Sequence, residues 1–171
     1  MKQLNYQSKQ TGAVLFVSLI ILLIMTLLGV TGMQTTILEE KMAGNFRDKN
    51  VAFQAAESAL RDAEIDIRSS RISGHTGMTA GCVNGLCYNS GNDIPDIWED
   101  VAKVANATEY GAYTGASDLP GVGSQPKYLI VGRTFLPAGA ATPKDGYIIT
   151  AIGEGGSSST SVILQSIYIT N

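Results

Sequence analysis

Residues 11–33 read TGAVLFVSLIILLIMTLLGVTGM, and the fate of this run decides the fold. From Gln10 to Leu38 no side chain ionises. At about 1.5 Å per residue, a helix from Ala13 to Met33 reaches roughly 30 Å, the thickness of a bilayer's hydrocarbon core. A secretory signal has a shorter apolar region, about 7–15 residues, closed by a small-residue cleavage site. Here the run is longer and passes without a polar boundary into QTTILEEKMAGNFRDKNVAFQAAESALRDAEIDIRSSR, residues 34–71. The segment reads as a membrane-spanning helix, retained rather than discarded.

Working outward, the polar leader before it holds Lys2 and Lys9 and no acid, while Glu39 and Glu40 come after it, ahead of Lys41. The positive-inside tendency places the amino terminus in the cytoplasm and the rest of the chain beyond the membrane. The helical pattern then continues. Phe53, Ala56, Leu60, Ala63 and Ile67 recur at three and four, and Leu38, Met42 and Phe46 extend a stripe toward the membrane. Arg47, Asp48, Glu57, Arg61, Asp62, Glu64 and Asp66 are expected to form a solvated face. Gly29, Gly32 and Gly44 each weaken the helix by about 1 kcal/mol relative to alanine, and mark sites for a bend or local melting.

The apolar stripe must be buried against the second half of the chain. Cys82 and Cys87 bracket Val-Asn-Gly-Leu, and Asn84-Gly85 is a strong two-residue hairpin signal. A turn there sets Cys82 opposite Cys87 in a close pair, within reach of a disulfide. Free thiols or half of a zinc site are the rival readings, and no second Cys/His pair completes tetrahedral zinc. The one histidine, His75, lies in RISGHTGMTAG and reads as a solvated loop residue. Asp93 and Pro95 suit the start of a short helix with Trp98, Val101, Ala102 and Ala105 on one face. Its acids Asp93, Asp96, Glu99 and Asp100 fit calcium, or simply the helix dipole. Three segments rich in β-branched and aromatic residues close the chain: KYLIVGRTF (127–135), GYIITAIGEG (146–155) and TSVILQSIYIT (160–170). An antiparallel meander of these, one face on the amphipathic half of the helix, gives an α+β fold.

The totals exclude several functions. A formal charge of −3 with 12 lysines and arginines leaves no broad electrostatic footprint, so no nucleic-acid partner is expected. No nucleophile is paired with a base, no metal cluster is apparent, and the glycines at 153–156 lack the lysine and strand-to-helix setting of a phosphate loop. The chain does not read as an enzyme, and no cofactor is implied.

The stretches QTGAVLFVSLIILLIMTLLGV (10–30) and LEEKMAGNFRDKNVAFQAAESALRDAE (38–64), and more loosely YIITAIGEGGSSSTSVILQSIYI (147–169), resemble the type IV pilin-like superfamily, specifically minor pilins of the PilX type. The resemblance implies that prepilin peptidase cuts between Gly12 and Ala13 and methylates the new amine of Ala13. Residues 1–12 would then be a class III leader, 13–36 the transmembrane and filament-core helix, and 37–71 its amphipathic continuation. Residues 72–171 would be a periplasmic or extracellular head holding the disulfide hairpin Cys82–Cys87, the short helix and the sheet. Implied partners are other minor pilins, the major pilin, prepilin peptidase, the inner membrane before assembly, and a tip adhesin. Two departures matter, the first being Ala13 at the first mature position, where major pilins usually have an aromatic residue or methionine. Major pilins resemble one another in a glutamate at the fifth mature position, where this chain has Val17. That implies a minor pilin that helps initiate type IV pilus assembly from a tip complex. A type II secretion pseudopilin tip subunit, or a tip-displayed adhesin or DNA-uptake module, stand as alternatives.

Overall fold

A computed structural model describes residues 12–69, 71–88, 104–136, 138–139 and 141–170. Its elements run α1 (Ala13–Arg68), β1 (Leu86–Tyr88), β2 (Thr108–Glu109), β3 (Lys127–Phe135), β4 (Lys144–Glu154) and β5 (Ser161–Ile169). By internal contacts the chain divides into Met1–Asn45 and Phe46–Asn171. The predicted short helix around Trp98, with Asp93, Asp96, Glu99 and Asp100, lies almost wholly outside the described residues.

The second unit is the expected α+β arrangement, with the last part of α1 packed on the sheet. β3, β4 and β5 form the antiparallel meander, in register from Lys127↔Ile152 to Phe135↔Lys144 and from Gly146↔Ile169 to Glu154↔Ser161. Two short strands widen it: β1 runs parallel to β3 and β2 antiparallel to it, both on the edge away from β4. Period-two alternation divides the sheet between two cores. Tyr128, Ile130, Tyr147, Ile149 and Ala151 join Ala59, Ala63 and Ile67 of α1, while Leu129, Val131 and Ile148 pack with Cys82 and Cys87.

The helix lies close to β4 because both partners are small where they meet. Ala52, Ala55, Ala56, Ala59 and Ala63 are all buried. The positions of β4 and its extension that approach α1 shrink along the strand: Tyr147, Ile149, Ala151, Gly153, Gly155. A Cβ on Gly153 would overlap the backbone of Ala52 and Ala56, and one on Gly155 would sit 2.6 Å from Asp48 Oδ1. Glycine is required there by proximity, not by backbone angle.

Two expectations about α1 need correction. The local melting anticipated at Gly29, Gly32 and Gly44 is not seen, since each lies within continuous helix. The covered stripe also differs in part from the one drawn: Ala56, Ala63 and Ile67 are buried as expected and Leu60 is partly buried against them, but Phe53 is not. Phe53 is 45 % exposed, whereas the buried positions are the alanines together with Asp62, Asp66 and Ile67.

Candidate functional site

The amino-terminal unit is a surface looking for company. Gly12 has φ +84, a left-handed conformation that glycine adopts freely, and it directly precedes Ala13, the first residue of α1. The most apolar 18-residue window of α1 has a mean hydropathy of 3.0, and none of it is buried. Exposure of its large apolar side chains runs from 39 % at Ile20 to 75 % at Leu15, and Val17 is 51 % exposed. The few polar side chains are fitted for an apolar medium. Ser18 donates to Leu15 O at 2.9 Å, Thr26 to Leu23 O at 2.8 Å, Thr31 to Leu28 O at 3.0 Å, Thr35 to Thr31 O at 3.2 Å and Thr36 to Gly32 O at 3.3 Å. Hydroxyls returned to their own helix make no demand on solvent, which is the condition for residing in lipid or among apolar neighbours.

In the second unit three carboxylates, expected on a solvated face, instead tie α1 to the head. Asp48 Oδ1 accepts the backbone N–H of Gly156 at 2.6 Å and of Ser157 at 3.2 Å. The Thr160 hydroxyl and these amides hold its pKa below the ordinary 3.8, against an opposing effect of burial. Asp62, 2 % exposed, accepts the Gly111 N–H at 2.9 Å and the Thr114 hydroxyl. Asp66, fully buried, receives Arg71 Nε at 2.7 Å, Arg71 Nη2, and the Tyr128 hydroxyl at 3.0 Å. A carboxylate in the last turn opposes the helix dipole, so Asp66 depends on that bidentate arginine. Burial first, then the adjoining Asp66, pushes the Tyr128 hydroxyl well above its ordinary pKa and keeps it a donor.

Arg71 also joins the helix end to the cysteine hairpin, donating from Nη1 to Asn84 O at 3.3 Å while its guanidinium lies 3.7 Å over the Tyr113 ring. The Asn84-Gly85 turn is as anticipated, but the ladder stops there: Cys82 is left-handed at φ 57, and Cys87 bridges Thr79 instead of facing Cys82 as a strand pair. Val83 and Leu86 exchange both backbone hydrogen bonds at 2.9 Å, Asn84 and Gly85 have φ of 50 and 75, and Cys82 and Cys87 are disulfide-bonded with Cα atoms 4.2 Å apart. Both cysteines are buried, at 2 % and 4 % exposure. On a chain-entropy model so short a loop stabilises by about 2 kcal/mol.

His75 is corrected too. It is in a loop, but its side chain is only 15 % exposed, seated over Gly132 with its ring against Tyr88 and Tyr147 and Nε2 3.3 Å from Gly146 O. Gly132 makes the room, since a Cβ there would overlap Met78 and His75. Among the described residues, no three His, Cys, Asp or Glu side chains gather where they could hold a metal. The described residues present an uncovered apolar helix and a head in which Asp48, Asp62 and Asp66 serve its own fold.

Two family descriptions match the chain, PilX N-terminal over residues 11–61 and type IV pilus assembly protein PilX C-terminal over residues 83–170. No curated protein and no solved structure matches it.

Proposed function

The chain belongs to the PilX family of type IV pilus minor pilins, single-pass structural components of a pilus, and from that premise we propose that it initiates pilus assembly within a tip complex of minor pilins. Prepilin peptidase removes residues 1–12 and methylates Ala13. The subunit waits in the inner membrane with its amino terminus cytoplasmic, then enters the fibre through residues 13–36, where neighbouring subunits replace lipid. Exposed Gly12 at φ +84, immediately ahead of the helix, supports cutting at that bond.

One observation carries the tip assignment: there is no acid anywhere from Ala13 to Leu38, and Val17 stands at the fifth mature position. An ionised amine in an apolar helical core costs several kcal/mol unless it is paired. In fibres of pilins with the glutamate, the incoming subunit neutralises the amine of its predecessor. A subunit with Val17 cannot neutralise a predecessor, yet its own Ala13 amine can be neutralised by its successor. The first position, with no predecessor, costs it least.

The test is Val17→Glu, followed by labelling of the protein along sheared pili. Labelled subunits should move from the tip into the shaft. Labelling that stays at the tip alone would contradict the charge-pairing argument and assign placement to the head.

A further inference from the structure

The loop between Cys82 and Cys87 holds the one Asn-Gly pair in the chain, Asn84-Gly85. That pair carries its own chemistry. Glycine has no side chain to crowd its amide nitrogen, so Gly85 N can attack Cγ, the side-chain carbonyl carbon of Asn84. The N–Cγ bond forms as the Cγ–NH2 bond breaks. The amide proton leaves with the amine as ammonia, and a five-membered succinimide remains. Water then adds to either ring carbonyl and opens it. One route leaves aspartate. The other leaves isoaspartate, in which the main chain runs through Cβ and Cγ and is one carbon longer. Water is the only molecule consumed.

The fold opposes that attack at each requirement. Asn84 is exposed, but the nucleophile is not: Gly85 is buried, and its N–H donates to Asn106 O at 2.7 Å. The ring also needs Cβ and the attacking nitrogen nearly eclipsed about the Cα–C bond of Asn84. At φ 50 that residue is left-handed, where ψ is roughly +30 to +60° and the two stand apart. Turning the peptide unit toward Cγ would pull Asn84 O from the Thr108 hydroxyl at 2.8 Å and from Arg71 Nη1 at 3.3 Å. Just beyond it, Gly85 O accepts Ile130 N at 2.8 Å, and Val83 and Leu86 close the turn with a bond in each direction. The disulfide then ties the two ends of the loop, with both cysteines buried.

We propose that Asn84-Gly85 is a self-modifying site, withheld by the closed hairpin and released when the Cys82–Cys87 bridge opens. Reduction removes the loop constraint, so the hairpin opens more often while the sheet stands. Each opening frees Gly85 N from Asn106 and lets the peptide unit turn. Either product adds a negative charge at residue 84. Isoaspartate also adds a backbone carbon to the loop between the thiols, which displaces the carbonyl that Arg71 and Thr108 hold. A head that has lost its bridge thereby acquires a lasting covalent mark. The chemistry asks nothing of a membrane or a fibre, so it stands or falls apart from the assembly role.

The experiment incubates the full chain in detergent micelles at mildly alkaline pH. The bridge is left intact or reduced by a small dithiol, which is itself oxidised to a cyclic disulfide. Conversion at residue 84 is followed by ammonia release and by mass spectrometry that separates aspartyl from isoaspartyl peptides. The reduced chain should convert at least about tenfold faster than the bridged one, with the β3 and β4 amide resonances in place to show that the sheet stands. Thr108→Val with the bridge intact removes one hydrogen bond to Asn84 O and should convert about threefold faster or more. Asn84→Gly keeps the left-handed turn and should release no ammonia from this loop in either state. Equal rates with and without the bridge, wild-type speed in Thr108→Val, or a reduced chain unchanged at residue 84 would each overturn the proposal. If reduction unfolds the sheet as well, Thr108→Val with the bridge in place decides.

Discussion

Between Val14 and Phe46, α1 displays leucine, isoleucine, valine, methionine and phenylalanine, all of them exposed. Between Ala52 and Ile67 the same helix buries five alanines, two aspartates and one isoleucine. The greasier half is the uncovered one. Burial against the chain's own sheet goes by side-chain size, because alanine and glycine let backbone approach backbone, as Gly153 does at Ala52 and Ala56. The large side chains are kept where the rest of the described chain leaves them uncovered; in the proposed assembly, lipid covers them first and other subunits later. Polar groups divide in the same way. Hydroxyls in the first half bond only to their own helix, whereas carboxylates in the second reach across to the head.

This contrast can be tested in order of expected effect. Arg71→Ala leaves Asp66 buried without its cation and should destabilise the head by about 3–5 kcal/mol, read from denaturant midpoints in detergent. A near-normal midpoint would mean that the helix end is not held by this pair. Ala59→Leu, which adds bulk where α1 meets the sheet, should cost about 1–3 kcal/mol by the same measurement. No loss would show that size does not set the packing there.

Asp48 gives a smaller, local effect with a defined sign. Its folded pKa lies below 3.8, so its contribution is complete above that pH and is lost as pH falls through the folded value. The Gly156 and Ser157 amide resonances should shift together below pH 3.8 in wild type and stay flat in Asp48→Asn. Smallest is Leu22→Ala. Despite deleting a large apolar side chain, it should leave head stability within about 0.5 kcal/mol, since Leu22 is 66 % exposed.

Much of this was legible in the sequence. β3 runs over the predicted residues 127–135, because alternation and β-branching agree there. The cysteine hairpin followed from Asn84-Gly85 and the spacing of two thiols. β4 begins earlier than its apolar pattern, as Lys144 and Asp145 pair with Phe135 and Thr134 through backbone alone. The taper from Tyr147 to Gly155 was present in the letters, but reads as a turn unless size is tracked along with hydrophobicity. Asp62 and Asp66 fall on the alanine spacing, so the geometry of the stripe included them and only their charge argued otherwise. Their partners Arg71, Gly111, Thr114 and Tyr128 come from loops and strands outside α1, and no local pattern announces them. β1 and β2, three and two residues long, are set by pairing with β3 rather than by any signal of their own.

The proposed assembly requires that residues 1–12 are cut away and that residues 13–45 then find their cover outside the chain. Mass spectrometry of the protein recovered from sheared pili tests this most directly. The predicted species begins at Ala13 with a methylated amine. Full-length protein starting at Met1 as the sole form, in cells whose peptidase processes other pilins, would contradict it.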